Sequence, residues 1–100
     1  MGGESEIDRL ELPATGELAA IGDLKTVLLE RLAAGMPVHL DARHVHEPST
    51  ALIQLVESAA AAFGARELAF GLVEPSDALC SAYEDLGLFG ALMSRIAVAG

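Results

Sequence analysis

The spacing of hydrophobic positions changes along the chain and predicts an ordered series of strands and helices. Residues 7–12 alternate apolar and polar side chains, which is typical of a strand with one buried face, and Pro13 ends this pattern. From Gly22 the apolar positions recur at helical spacing, and Gly35 follows where a left-handed helix cap is expected. Residues 18–21 fit either a second short strand or the start of that helix.

A buried strand and a long helix are predicted in the middle of the chain. Residues 37–41 are too short and too apolar for another helix, and their place between two helices predicts a central strand. A helix then runs from a cap at Ser49 or Thr50 to about Phe63. The apolar stripe that we expect it to bury consists of Leu52, Leu55, Val56, Ala59 and Phe63.

The last third of the chain repeats the alternation of strand and helix. Residues 67–73 predict a strand, and Ser76 is placed to cap a third helix that Gly87 interrupts. One more helical turn near Phe89 and a last strand at residues 96–98 complete the pattern.

Strands that alternate with helices indicate an α/β fold, in which consecutive strands are parallel and their connections are right-handed. We therefore predict a mixed, mostly parallel β-sheet of about four strands with helices packed against it. One domain is expected over residues 7–100, after a frayed lead over residues 1–6.

Composition and charge narrow the class of protein. With 52% hydrophobic and 21% charged residues, the 100-residue chain has the composition of one small globular domain. Its formal net charge of −9 repels nucleic-acid phosphates and anionic lipid headgroups, so we expect neither as a direct partner. The lone Cys80 excludes an internal disulfide, and no signal-peptide pattern or spanning apolar run occurs, so we expect a cytoplasmic protein.

The residue types that carry catalysis are present but not arranged for it. No glycine-rich phosphate loop, nucleophile elbow or positioned carboxylate pair occurs, so we expect no catalytic residues and no cofactor. His39, His44 and His46 lie near Asp41 and Glu47, but this spacing matches no common zinc signature. Solvated loop histidines are the preferred interpretation, and a metal-binding or enzymatic domain that uses the three histidines is the alternative.

Residues 40–55 form the most informative segment, because they run from a strand end through a loop to a helix N-terminus. Functional groups gather at the carboxyl ends of strands in α/β sheets. Ser49 or Thr50 can simply cap the helix, or an exposed hydroxyl can sit where the helix N-terminus would stabilise a phosphate. Opposite the buried stripe, helical spacing predicts an exposed face of Thr50, Ile53, Gln54, Glu57 and Ala61.

In this segment the chain resembles a STAS domain, a family that includes bacterial anti-sigma-factor antagonists and related stand-alone regulators. The family motif Asp-Ser/Thr-x-Gly-Leu corresponds to residues 49–53, which read Ser-Thr-Ala-Leu-Ile. Further similarities to the family lie in residues 10–14, 37–41, 70–72, 75–76 and 86–88. The resemblance covers about residues 8–98, and it lies in the order and spacing of these motifs.

The resemblance implies a non-catalytic protein–protein interaction module with a phosphorylation switch. The family's phosphoacceptor corresponds to Thr50, with Ser49 as the alternative, and its partner is a serine/threonine kinase-like anti-sigma factor. Ser49 replaces the family's usual Asp and Leu52 its frequent Gly, whereas Asp41 matches the family's Asp at the strand end. The partner surface predicted in this way consists of Asp41, Ser49, Thr50, Ile53, Gln54 and Glu57.

The family also suggests a second role for the chain. Some STAS domains are accessory subunits of chemotaxis or lipid-transport systems and work without a phosphorylation switch. That role is the alternative function for this sequence.

Overall fold

A computed structural model describes residues 7–97 and has the predicted alternation of strands and helices. The strands are β1 (Asp8–Glu11), β2 (Val38–Asp41) and β3 (Phe70–Val73), and the helices are α1 (Leu18–Ala34), α2 (Thr50–Ala65), α3 (Asp77–Asp85) and α4 (Phe89–Arg95). The ambiguous residues 18–21 belong to α1. The three strands are parallel and lie side by side in the order β1-β2-β3, so the α/β class is confirmed.

The described sheet has fewer strands than the four that the sequence predicts. Ile96 forms only an isolated parallel bridge to Leu72, and Val98 lies outside the described residues. The physical reason is that α4 continues through Arg95, so that Ile96 and Ala97 are the only described residues left to lie along β3.

Strand β2 is central, as predicted, and its apolar side chains lie in the core. Val38 and Leu40 are fully buried, and the strand register places Leu40 between Leu10 and Leu72. These residues share one face of the sheet, since side chains alternate between faces along a strand. The same face joins a single hydrophobic cluster with the buried residues of all four helices.

The opposite face of the sheet is polar on β1 and β2. Arg9 and His39 are register partners on this face, and so are Glu11 and Asp41. Gly71 continues the first of these rows, and a β carbon there would lie 2.8 Å from the β carbon of Ala97. The missing side chain of Gly71 therefore lets the segment after α4 pass close to β3.

Two helix caps and one interruption between helices lie at the predicted positions. Gly35 ends α1 in the left-handed conformation, with φ of 70° and ψ of 31°. The Ser76 hydroxyl accepts a hydrogen bond from Leu79 N at 3.1 Å and begins α3. Gly87, with φ of 74°, separates α3 from α4.

The predicted exposure of Ile53 is wrong, because α2 has neighbours on the side that the sequence pattern left open. Ile53 is 1% exposed and belongs to the core cluster, whereas Leu55 is only partly buried. The buried residues of α3 and α4, among them Tyr83 and Leu92, lie in the same cluster as those of α2. Burial around α2 therefore extends beyond the single stripe that faces the sheet.

Within residues 7–97, no helix is both long and apolar enough to cross a membrane.

Candidate functional site

The N-terminus of α2 is held by backbone hydrogen bonds to the loop that follows β1. His46 N and Glu47 N both donate to Ala14 O, at 2.9 and 3.0 Å, and Gly16 N donates to Glu47 O at 2.9 Å. Thr15 and Glu47 also form an isolated parallel bridge. Two loops at the carboxyl ends of β1 and β2 therefore fix the position at which α2 begins.

Ser49 is the N-cap of α2. Its Oγ accepts a hydrogen bond from Leu52 N at 3.1 Å, which satisfies one of the free amides of the first helical turn. Gly16 lies directly against Ser49, since a β carbon on Gly16 would be only 2.7 Å from the Ser49 backbone nitrogen. The Ser49 hydroxyl is therefore occupied within the protein and packed beneath the loop after β1.

Thr50 is the first residue of α2, and it is exposed. Gln54 lies one turn further along the helix and is also exposed, so the two side chains share a face. The two hydroxyls that the sequence left as alternatives thus differ in setting. Ser49 has a structural role, whereas Thr50 is accessible from solvent.

Glu57 belongs to a polar cluster between helices and not to the open face with Thr50. The Tyr83 hydroxyl donates to one Glu57 carboxylate oxygen at 2.9 Å, and Arg95 Nη2 donates to the other at 2.9 Å. Burial, and then the hydrogen bond to Glu57, raise the pKa of Tyr83 well above its usual range. No local sequence signal connected these three residues, because they lie on different helices.

Asp41 is buried at the end of β2 and bound by two arginines. Its carboxylate accepts hydrogen bonds from Arg43 Nη2 at 2.8 Å, from the Arg43 backbone amide at 3.2 Å and from Arg9 Nη2 at 3.3 Å. The hydrogen bonds from the Arg43 side chain hold the pKa of Asp41 well below its usual range, although burial acts in the opposite direction. Asp41 is 7% exposed, so a partner would meet the two arginines before the carboxylate.

The histidines are spread over the strand and the following loop. His39 is half-buried, whereas His44 and His46 are exposed, and His44 Nε2 lies 3.7 Å from a Glu11 carboxylate oxygen. Among residues 7–97, no three His, Cys, Asp or Glu side chains are grouped closely enough to hold a metal ion. Cys80 is a free, partly buried thiol whose pKa is raised by burial.

No protein-family model, curated protein or solved structure matches this chain. The STAS assignment therefore stays a prediction from the order of sequence motifs. The candidate site is defined by three structural features near the carboxyl ends of the strands. They are an exposed Thr50, a Ser49 that caps α2 and an Asp41 that is bound by arginines.

Proposed function

We propose that this chain is a non-catalytic regulatory module that binds another protein through the surface around the N-terminus of α2. Phosphorylation of Thr50 controls that binding. The observation that carries the proposal is the exposure of Thr50 at the first position of a 16-residue helix, next to a Ser49 hydroxyl that is already used as the cap. A kinase can reach Thr50 without unfolding the helix.

A phosphate on Thr50 suits the fold for electrostatic reasons. It adds about −1.5 to −2 charges at neutral pH. A helix N-terminus stabilises negative charge by roughly 0.3–1 kcal/mol. The modified chain should therefore remain folded, and the phosphate should change the binding of the partner instead.

The phosphate would stay largely uncompensated within the protein. Arg43, the lysine or arginine nearest to Thr50 in the sequence, already binds Asp41 through its guanidinium. A partner shaped for a neutral hydroxyl then has to desolvate a dianion, which is costly without a new basic group. This contrast between neutral and charged states is what a partner switch requires.

The STAS resemblance supplies the class of partner. We propose a serine/threonine kinase-like anti-sigma factor that both binds the chain and phosphorylates Thr50, in a cytoplasmic signalling system. The role of the chain is then that of a partner-switching antagonist. With Ile53 buried and Glu57 bound between helices, the contact surface is centred on Thr50 and Gln54.

A second candidate is an accessory STAS subunit of a chemotaxis or lipid-transport system without a phosphorylation switch. The observation that favours it is the replacement of the family's Asp by Ser49, which is engaged as a cap. The position that carries the family's carboxylate therefore offers neither a negative charge nor a free hydroxyl to a kinase.

Phosphorylation-site mapping of the protein isolated from its source cells tests the proposal. We expect phosphate on Thr50 and none on Ser49, although a peptide that contains both hydroxyls must be fragmented to separate them. The exposed Ser58, two turns along α2, is the internal control for non-specific phosphorylation. Phosphate on Ser49 alone, or on neither hydroxyl under any growth condition, contradicts a phosphorylation switch at Thr50. The accessory-subunit role is then the function that remains.

A further inference from the structure

Within the described part of the chain, strand β1 has an outer edge with free backbone groups. The amides of Asp8 and Leu12 donate to β2, to Pro37 O and Asp41 O, both at 2.9 Å. Alternate residues of a strand direct their backbone groups to opposite sides, so Arg9 and Glu11 present N–H and C=O groups at the other edge. Among residues 7–97, no strand pairs with β1 on that side.

An apolar groove runs beside the same edge. Its volume is about 300 Å³, and Leu10 and Pro13 form one wall of it. Ala20, Asp23, Leu24 and Val27 of α1 form the other. An open strand edge next to an apolar groove is the arrangement to which an added strand binds.

The charges on β1 select the strand that fits. Arg9 and Glu11 lie two residues apart on the polar face of the sheet, and their side chains are 44% and 64% exposed. In an antiparallel pair of β1 strands centred on Leu10, each Arg9 lies opposite Glu11 of the other copy. Opposite charges at facing positions stabilise a strand pair, whereas like charges destabilise it.

This register also uses the free backbone groups. Arg9 and Glu11 of the two copies form two hydrogen-bonded pairs, each with two N–H···O=C bonds, and Leu10 faces its own copy between them. Moving the centre by one residue, to Arg9 or to Glu11, brings two like charges face to face. The sequence of β1 therefore both favours one register and disfavours its neighbours.

We propose that the chain forms a twofold-symmetric dimer in which two β1 strands pair antiparallel about Leu10. The two sheets then become one continuous six-stranded sheet, three strands from each copy, with both α1 helices on the same side. This inference goes beyond the proposed function, because it uses the β1 edge and not the N-terminus of α2. The strand interface is small and each chain carries a net charge of −9, so the dimer forms weakly and in a concentration-dependent way.

A charge-swap series measured by sedimentation velocity tests the dimer and its register together. Arg9→Glu and Glu11→Arg should each weaken dimerisation by about tenfold or more, because two attractive pairs become repulsive in each case. The double variant restores opposite charges at both facing positions and should recover dimerisation. Glu84→Arg, an exposed charge reversal on α3, is the matched control and should not weaken dimerisation.

Cross-linking provides a second test that does not depend on Arg9, whose substitution also removes an ion pair with Asp41. In a Cys80→Ser background, Leu10→Cys should give a disulfide-linked dimer on mild oxidation, whereas Glu84→Cys should not. Circular dichroism checks that each variant is folded. A wild-type chain that stays monomeric at every concentration overturns the proposal. A double charge swap that fails to restore dimerisation, or folded Leu10→Cys that does not cross-link, overturns the register.

Discussion

Gly16 lies in contact with Ser49, the residue that caps α2, and a β carbon at Gly16 would come within 2.7 Å of the Ser49 backbone nitrogen. The loop after β1 can pack over the start of α2 because residue 16 has no side chain. This contact connects the β1 loop to the residue that precedes the candidate phosphoacceptor, Thr50.

Gly16→Ala should therefore destabilise the protein by about 1–3 kcal/mol, because the loop must move away from Ser49 to make room. Gly22→Ala is the matched control: nothing lies within 4 Å of a β carbon there, and the position is within α1. It should instead raise stability by roughly 0.5–1 kcal/mol. Urea unfolding of both variants measures the difference, and equal effects would contradict the contact.

Burial of Ile53 predicts a large loss of stability on truncation. Ile53→Ala should lower the free energy of unfolding by about 2–5 kcal/mol, because it leaves a cavity where α2 meets its neighbours. The adjacent Gln54→Ala should change it by less than about 0.5 kcal/mol, since Gln54 is exposed. If Ile53→Ala unfolds at the same midpoint urea concentration as the wild type, Ile53 lies on the surface. The helix α2 would then be rotated about its axis relative to its orientation in the structure.

Local patterns predicted most of the fold but not the side of α2 that carries Ile53. The alternation of strands and helices, the Gly35 cap and the Ser76 cap each depend on a few neighbouring residues, so sequence spacing was enough to find them. Glu57 lies one helical turn after Ile53 on the same side of α2, and it binds Tyr83 and Arg95. That side of α2 is therefore covered by α3 and α4, which begin more than twenty residues after Ile53. Helical periodicity identifies an apolar stripe, and it does not say how many elements surround a helix.

The same distinction applies to the candidate site. A hydroxyl at the start of α2 was predictable from Ser49 and Thr50 alone, and only the geometry separates the cap from the exposed side chain. The attachment of Glu57 to Tyr83 and Arg95 spans 26 and 38 residues, and no spacing rule connects them. The binding of Asp41 by Arg9 also depends on the pairing of β1 with β2.

Asp41 should make stability depend on acidity. Its pKa is lower in the folded protein than in the unfolded chain, so its ionised form favours folding. This contribution is fully present above the unfolded pKa of about 3.9 and is lost as the pH falls from there towards the folded pKa. In acid urea titrations Asp41→Asn should therefore flatten the fall in stability below about pH 4. A fall in stability as steep in Asp41→Asn as in the wild type would contradict the role of the arginines.

Glu67 has a left-handed backbone conformation that a side chain disfavours. Its φ is 58°, and it lies in the turn that ends α2, where its amide donates to Gly64 O. Such a conformation costs a non-glycine residue roughly 1–2 kcal/mol. Glu67→Gly should raise the melting temperature, by an amount that corresponds to about 0.5–1 kcal/mol after the greater chain entropy of glycine is subtracted. Glu67→Ala removes the charge but keeps the β carbon, so an equal gain in that variant would show that charge and not backbone strain is responsible.

Co-purification with matched variants tests most directly whether Thr50 controls the binding of a protein partner. Tagged wild type, Thr50→Ala, Thr50→Glu and Ser58→Glu are expressed in the source cells, and the proteins retained by each are quantified by mass spectrometry. Melting curves first confirm that all four chains are equally folded. We predict that one partner is retained by wild type, by Thr50→Ala and by Ser58→Glu, and is lost from Thr50→Glu. Retention of that partner by a folded Thr50→Glu at the wild-type level would contradict control of binding by Thr50.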